Sequence, residues 1–143
     1  MKYTIKRMVR AFAAIATGIA LILSITPVAS ASTARNGVCD DYEFCLYHGV
    51  GFTGSVSDFA AGSIPDYGKS QPSCYEFKSA DSGQGECVKN NAKSARNRTH
   101  IYVVKIFYNS NYGGTNFTFN PGGAANLGSL TKQNASQLFE LVS

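Results

Sequence analysis

The chain has 143 residues, 15% of them charged, with 13 Lys and Arg against 9 Asp and Glu and a formal net charge of +4. Four basic residues (Lys2, Lys6, Arg7, Arg10) and no acidic ones lie in the first 31 positions, so residues 32–143 carry nine of each sign and no net charge. A neutral body offers no electrostatic footprint for nucleic acid or an anionic membrane, and neither partner is expected.

In chain order, the basic start is followed by an apolar run from Ala11 to Ile25, then Pro27 and Ala29-Ser30-Ala31. These are the three parts of a cleavable secretion signal, which predicts cleavage after Ala31 and an extracellular, secreted product. The run is interrupted by Thr17, Gly18 and Ser24. It is shorter than the ~20 residues a bilayer-spanning helix needs. The remaining 112 residues suit one domain, 32–143, with a modest core. Its four cysteines, Cys39, Cys45, Cys74 and Cys87, read as two disulfides in a small secreted protein. Three pairings are possible. Cys39–Cys45 and Cys74–Cys87 are favoured because each closes a short local loop, with a chain-entropy gain on the order of 3 kcal/mol for the longer one. Spacings of 6 and 13 lack the close Cys-x-x-Cys pairs of zinc sites.

Beyond the signal no helical period is present. Phe44–Tyr47 and Val56–Phe59 read as short strands, and Ile101–Tyr108, rich in β-branched and aromatic residues, as the clearest one. Asn116–Phe119 alternates polar and apolar, and Leu138–Val142 ends the sequence with another apolar stretch. Glycine-rich turns separate them, at Gly49–Gly51, Gly83–Gly85, Gly113-Gly114 and Pro121–Gly123. Many short strands with such turns predict an all-β sandwich.

An internal repeat runs through this pattern. Tyr47, Phe52 and Gly54 recur as Phe107, Tyr112 and Gly114, offset by 60 residues at all three positions. Each copy follows a predicted strand and precedes a polar turn ending in serine, Asn90-Asn91-Ala92-Lys93-Ser94 and Lys132-Gln133-Asn134-Ala135-Ser136. Two aromatics five apart can fold over and cover a tight hairpin. The following glycine supplies a backbone conformation that a Cβ disfavours. From glycine to serine is 40 residues in the first copy and 22 in the second, so the first carries about 18 extra, where Cys74 and Cys87 lie.

Aromatic-x4-aromatic-x-Gly followed by Asn-Asn-x-x-Ser resembles the βγ-crystallin motif. The opening from Cys39 to Tyr47 is similar to that of small secreted bacterial proteins grouped with the streptomycete metalloproteinase inhibitor. The resemblance spans Gly37 to Leu141. It implies an all-β, two-motif Greek-key sandwich of βγ-crystallin type shaped by Tyr47, Phe52, Gly54, Phe107, Tyr112 and Gly114. It also implies a peptidase inhibitor directed at an extracellular metalloendopeptidase. Inhibitors of that family act through a disulfide-tied loop in the second half. This sequence has no cysteine after Cys87, so the reactive bond is not carried over.

The inhibitory contact is therefore expected in the loop tied by Cys74 and Cys87, with Tyr75, Phe77 and Val88 as apolar candidates and Glu76, Asp81 or Glu86 as groups that could approach a catalytic zinc. A tethered loop lowers the ordering cost of binding. βγ-Crystallin motifs also bind calcium. Asn90, Asn91 and Ser94 match that pattern, but Ala95 stands at its last serine and Lys132-Gln133 replace the paired ligands of the second copy. Neutral amides and a lysine predict weak binding or none, and no cofactor is required. His48 and His100 lie in no metal-binding spacing, there is no Gly-x-Ser-x-Gly elbow, and paired cysteines leave no thiol, so no enzyme activity is expected. A monomer is expected. The alternative is a secreted binding, structural or toxin-like β domain without a protease target.

Overall fold

The computed structural model describes residues 33–143. The secretion signal expected over 1–31 lies outside these residues. Among the described residues seven strands follow one another: β1 (Phe44–Tyr47), β2 (Val56–Phe59), β3 (Ser94–Asn97), β4 (Tyr102–Asn109), β5 (Gly113–Phe119), β6 (Ala124–Asn126) and β7 (Ser136–Leu141). They form two antiparallel sheets, ordered β2-β1-β3-β6 and β5-β4-β7.

The sheets exchange a segment. β6 comes from the second half of the sequence but pairs with β3 in the first sheet. Reciprocally, Ile64 of the first half pairs with Gln137 on β7, through Ile64 N–H to the Gln137 carbonyl (2.8 Å) and Gln137 N–H to the Ile64 carbonyl (2.9 Å). This is the Greek-key exchange the resemblance implies. Each half completes the other's sheet, and neither half buries its own core alone.

The core follows from alternation on facing strands. Phe44, Leu46 and Phe59 face inward from the first sheet and Val104, Ile106 and Phe119 from the second, all fully or almost fully buried. These six are three pairs offset by 60 residues. Phe44 meets Phe119 edge-on at 5.6 Å and Phe139 at 6.1 Å, bridging the layers. Side chains of this size contribute about 1.5–3 kcal/mol each on full burial.

Four of the five predicted strands are recovered to within one residue at each end or lie inside an observed strand, and the fifth, Leu138–Val142, begins two residues earlier at Ser136. β3 and β6 have no strand signal of their own. Ser-Ala-Arg-Asn and Ala-Ala-Asn carry no apolar alternation, and both are strands because neighbouring strands take up their backbone groups. The residues between β2 and β3 hold the insertion. It folds back along the free edge of β2, where Lys78 N–H reaches the Val56 carbonyl (2.7 Å) and Ser55 N–H the Ser82 carbonyl (2.8 Å).

Candidate functional site

The motif residues build two matching corners. Tyr47 and Phe52 pack edge-to-face at 5.7 Å, Phe107 and Tyr112 at 6.0 Å. Phe52 (φ +63°) and Tyr112 (φ +61°) both sit in the left-handed region, which is unusual for aromatic residues. The serines pin them there. Ser94 Oγ accepts from Phe52 N–H (3.0 Å) and donates to the Gly49 carbonyl (2.7 Å). Ser136 Oγ accepts from Tyr112 N–H (3.1 Å) and donates to the Asn109 carbonyl (2.7 Å). Gly54 (φ +73°) and Gly114 (φ +76°) carry the left-handed backbone expected of them.

The insertion forms a hairpin stapled by Cys74–Cys87, whose Cα atoms are 5.7 Å apart; Cys39–Cys45 closes the second pair at 5.8 Å. Both pairs are those favoured by loop length. Within the hairpin, Phe77 N–H donates to the Glu86 carbonyl (3.0 Å), Gly85 N–H to the Phe77 carbonyl (2.9 Å) and Val88 N–H to the Tyr75 carbonyl (2.7 Å). The expectation of an exposed loop with several apolar anchors needs correction. Phe77 is 1% exposed and Val88 0%, because both face the core, and only Tyr75, at 38%, reaches the surface. Its ring is braced by Phe59 at 5.6 Å and Tyr67 at 6.5 Å, with the Arg35 guanidinium 5.4 Å away.

The acidic candidates also separate. Glu76 is held by Lys78 and Gln71, which lower its pKa by hydrogen bonding first and by charge second. Glu86 meets His48 Nε2 at 3.2 Å. Asp81 has no ion pair among the described residues. It accepts a local bond from Ser82 N–H (2.6 Å) at the exposed tip of the hairpin.

Several residues that anchor this surface carry no sequence signal. Arg35, just inside the N-terminal end of the described residues, donates to the carbonyls of Glu76 (2.7 Å) and Asp58 (3.2 Å) and lies 4.6 Å above the Phe59 ring. Burial lowers its pKa, against the pull of Asp58 and Glu76. His48, whose place in a predicted hairpin suggests a surface residue, is instead largely covered. Its ring packs edge-on to Phe77 at 5.4 Å, and the backbone of Gly83 lies so close that a Cβ there would fall 2.2 Å from the imidazole.

The calcium candidates are placed in separate bonds. Asn91 Nδ2 donates to the Cys87 carbonyl (2.9 Å), Ser94 Oγ is spent on its corner, and Asn90 N–H donates to the Asn134 carbonyl (2.8 Å). Asn90 lines a cleft of about 290 Å³ shared with Lys69, Lys89 and Lys132. Asn134, which reads in the sequence as one member of a polar turn, is fully buried. Its Nδ2 donates to the Val88 carbonyl (3.0 Å) and its Oδ1 accepts from Ala92 N–H (3.2 Å), tying the two halves together. Among the described residues no group of three or more His, Cys, Asp or Glu could hold a metal, and no helix is long and apolar enough to cross a membrane.

Against known proteins, residues 32–119 match the model of peptidase inhibitor family I36. No curated protein matches this sequence. Two solved structures are similar in fold. One, described under the evolution of the eye lens βγ-crystallin domain fold, has a TM-score of 0.56 at 15% identity, covering 75% of this protein and 96% of its own length. The other, the N-terminal domain of protein S, has a TM-score of 0.51 at 16% identity, covering 70% of this protein and 97% of its own length.

Proposed function

The chain belongs to peptidase inhibitor family I36, a protease-inhibitor and not an enzyme family, and on that premise we propose that it is secreted and inhibits an extracellular metalloendopeptidase. The observation that carries this reading is the stapled hairpin. Its two arms are cross-bonded, its base is joined by Cys74–Cys87, and its tip from Asp81 to Glu86 is exposed save for Gly83. A loop already held in one shape loses little entropy on entering a cleft. Tyr75 is the aromatic anchor, and Asp81 is the carboxylate free to approach a catalytic zinc. Phe77 and Val88 support the hairpin from within the core.

The test is titration of a thermolysin-type metalloendopeptidase with the oxidised protein, with subtilisin as control. Stoichiometric inhibition of the first enzyme alone is expected. Tyr75→Ala should weaken it by about 10- to 100-fold, as expected for a buried interface aromatic. Asp81→Asn should weaken it while leaving the fold intact. Inhibition that survives both substitutions would move the contact elsewhere, and no inhibition by a folded, fully oxidised protein would refute the proposed target.

We further propose that the secreted form begins at Ser32 as one domain, which mass spectrometry of the exported protein checks. Calcium binding is proposed to be weak. The amides of Asn90 and Asn91 are neutral and three lysines surround the adjoining cleft. Calorimetry returning sub-micromolar affinity would overturn this.

A further inference from the structure

We propose that a groove at the β6 side of the first sheet is a carboxylate-binding site, built on Arg96 and Arg98 with His100 at its rim. The groove encloses about 680 Å³ and is walled by Asp41, Thr99 and the Pro121-Gly122 turn. It lies at the opposite edge of the sheet from β2 and the stapled hairpin, and it is independent of the inhibitor reading.

Arg96 occupies the middle of β3, paired with Cys45 on one side and Ala124 on the other. Its neighbour Ala95 faces the core, so Arg96 leaves the sheet on the outer face. Its guanidinium lies 4.9 Å over the Phe52 ring, which fixes its position without using any of its N–H groups. Among the described residues no carboxylate lies within ion-pair distance of it, and its Nε is buried without a hydrogen-bond partner. An arginine offers five donors, and a buried donor left unpaired is costly. The Nε–H is sealed from the groove, so a ligand oxygen there would bond the terminal N–H groups of the same guanidinium, which also have no partner among the described residues.

The neighbouring groups favour one kind of ligand. Arg98 donates one N–H to the Cys39 carbonyl (2.8 Å), which orients its guanidinium. Burial raises the pKa of Tyr47, and the charges of both Arg96 and Arg98 oppose that rise, which puts the two cations near one phenol. Asp41, the acidic residue in the groove wall, is engaged by His100 Nε2 at 2.9 Å, and His100 packs on Tyr42 at 4.6 Å. Two guanidinium groups against one carboxylate leave a single net positive charge. That matches a monoanion, and the planar arginine fork suits a carboxylate. The groove is open, so the carboxylate can be carried by an acidic side group or by the C-terminus of a peptide.

The experiment is a nitrogen-15 NMR titration of the oxidised protein at fixed ionic strength. The probes are acetate, a blocked peptide with one glutamate, a peptide with only a free C-terminus, and acetamide as neutral control. Saturable shifts are expected at Arg96 Nε–H and at the amides of Arg98, His100 and Gly122 with the carboxylates and not with acetamide. The tighter of the two peptides identifies the source. Arg96→Gln should weaken binding at least tenfold and Arg96→Lys by less, with unchanged spectral dispersion showing an intact fold. Should Arg96→Gln lose that dispersion, Arg98→Gln takes its place. No saturable shift with any carboxylate, equal shifts with acetamide, or unchanged affinity in these variants would overturn the proposal.

Discussion

The two halves of the molecule are built on one plan but finish their edge strands differently. β2 and the C-terminal part of β5 occupy matching places, with Val56–Phe59 corresponding to Asn116–Phe119. Along β2 the insertion takes up the free edge. Lys78, Ser79 and Ser82 bond the backbone of Ser55 and Val56, and Asp58 accepts from Asn36 and Gly37 N–H at 2.8 and 2.7 Å. The outer edge of β5 has no paired strand among the described residues, and most of its side chains are exposed. The same strand position is thus a covered foundation in one half and an open rim in the other. The cover is also the hairpin we propose for protease contact, so on that proposal edge protection and function would share one insertion.

The difference between the halves can be broken most strongly at the staple. Replacing Cys74 and Cys87 together by serine should cost about 3 kcal/mol in thermal or denaturant unfolding and abolish inhibition. Hydrogen exchange should then quicken at Ser55 and Val56, while β4 and β7 amides hold. A uniform loss of protection would mean that the two halves are not separable in this way. Ser94→Ala and Ser136→Ala remove matching hydroxyls, each leaving a backbone N–H and a carbonyl without its partner. Each should cost about 1–3 kcal/mol in chemical denaturation, and the two should agree closely. Unequal costs would show that the two corners are not equivalent.

The glycines should separate the halves again. Both Gly54→Ala and Gly114→Ala place a Cβ at positive φ, at a cost of about 1 kcal/mol or more. At Gly54 the added Cβ also meets backbone atoms of Gly49 and Ser82 at 3.1 Å, and the hairpin cover cannot easily retreat. At Gly114 the nearest atom is the Asn109 side-chain amide at 3.0 Å, which can swing away. Gly54→Ala should therefore lower the melting temperature more.

The smallest effect concerns the tie between halves at Lys89, whose Nζ meets Asp66 (2.8 Å) in its own half and Ser110 (2.7 Å) in the other. Asp66 has its pKa lowered below 3.8, first by the Lys89 hydrogen bond and then by Gly68 N–H. A depressed carboxylate pKa contributes stability that is present above the unfolded value and lost as pH falls through the folded one. Asp66→Asn should thus destabilise slightly at neutral pH, by well under 1 kcal/mol for so exposed a carboxylate, and the difference should begin to shrink near pH 3.8 and vanish only once the pH falls below the lowered folded value. A difference that persists in acid would assign it to something other than the charge.

Much of this was legible in the sequence because it is local. β4 is a run of β-branched and aromatic residues that prefers a pleated strand wherever it lies, and the 60-residue offset announced two copies of one unit. The aromatic pair and the glycine of each corner were legible for the same reason, being set by short-range backbone geometry, whereas the serine that pins each corner reaches it from 24 to 45 positions away and showed only as a repeated turn. β3 was not legible. Its Ser94 and Asn97 are fully buried polar residues, and their bonds go to Gly49, Phe52, Tyr102 and Phe119, which lie close only after folding. Nor was the division of the hairpin into Tyr75 outside and Phe77 and Val88 inside, which depends on how the insertion lies across β2.

Composition and spacing by themselves determined an all-β protein with two related halves, two local disulfides and an insertion in the first half, because these rest on propensity, periodicity and loop length. Tertiary structure alone decided which side of the hairpin faces solvent, that His48 and Arg35 brace it, and that Arg96 is left over Phe52 with donors to spare. Those outcomes depend on contacts between residues tens of positions apart. Burial, which fixes the energetics of every polar and apolar group, exists only once the two sheets close on one another.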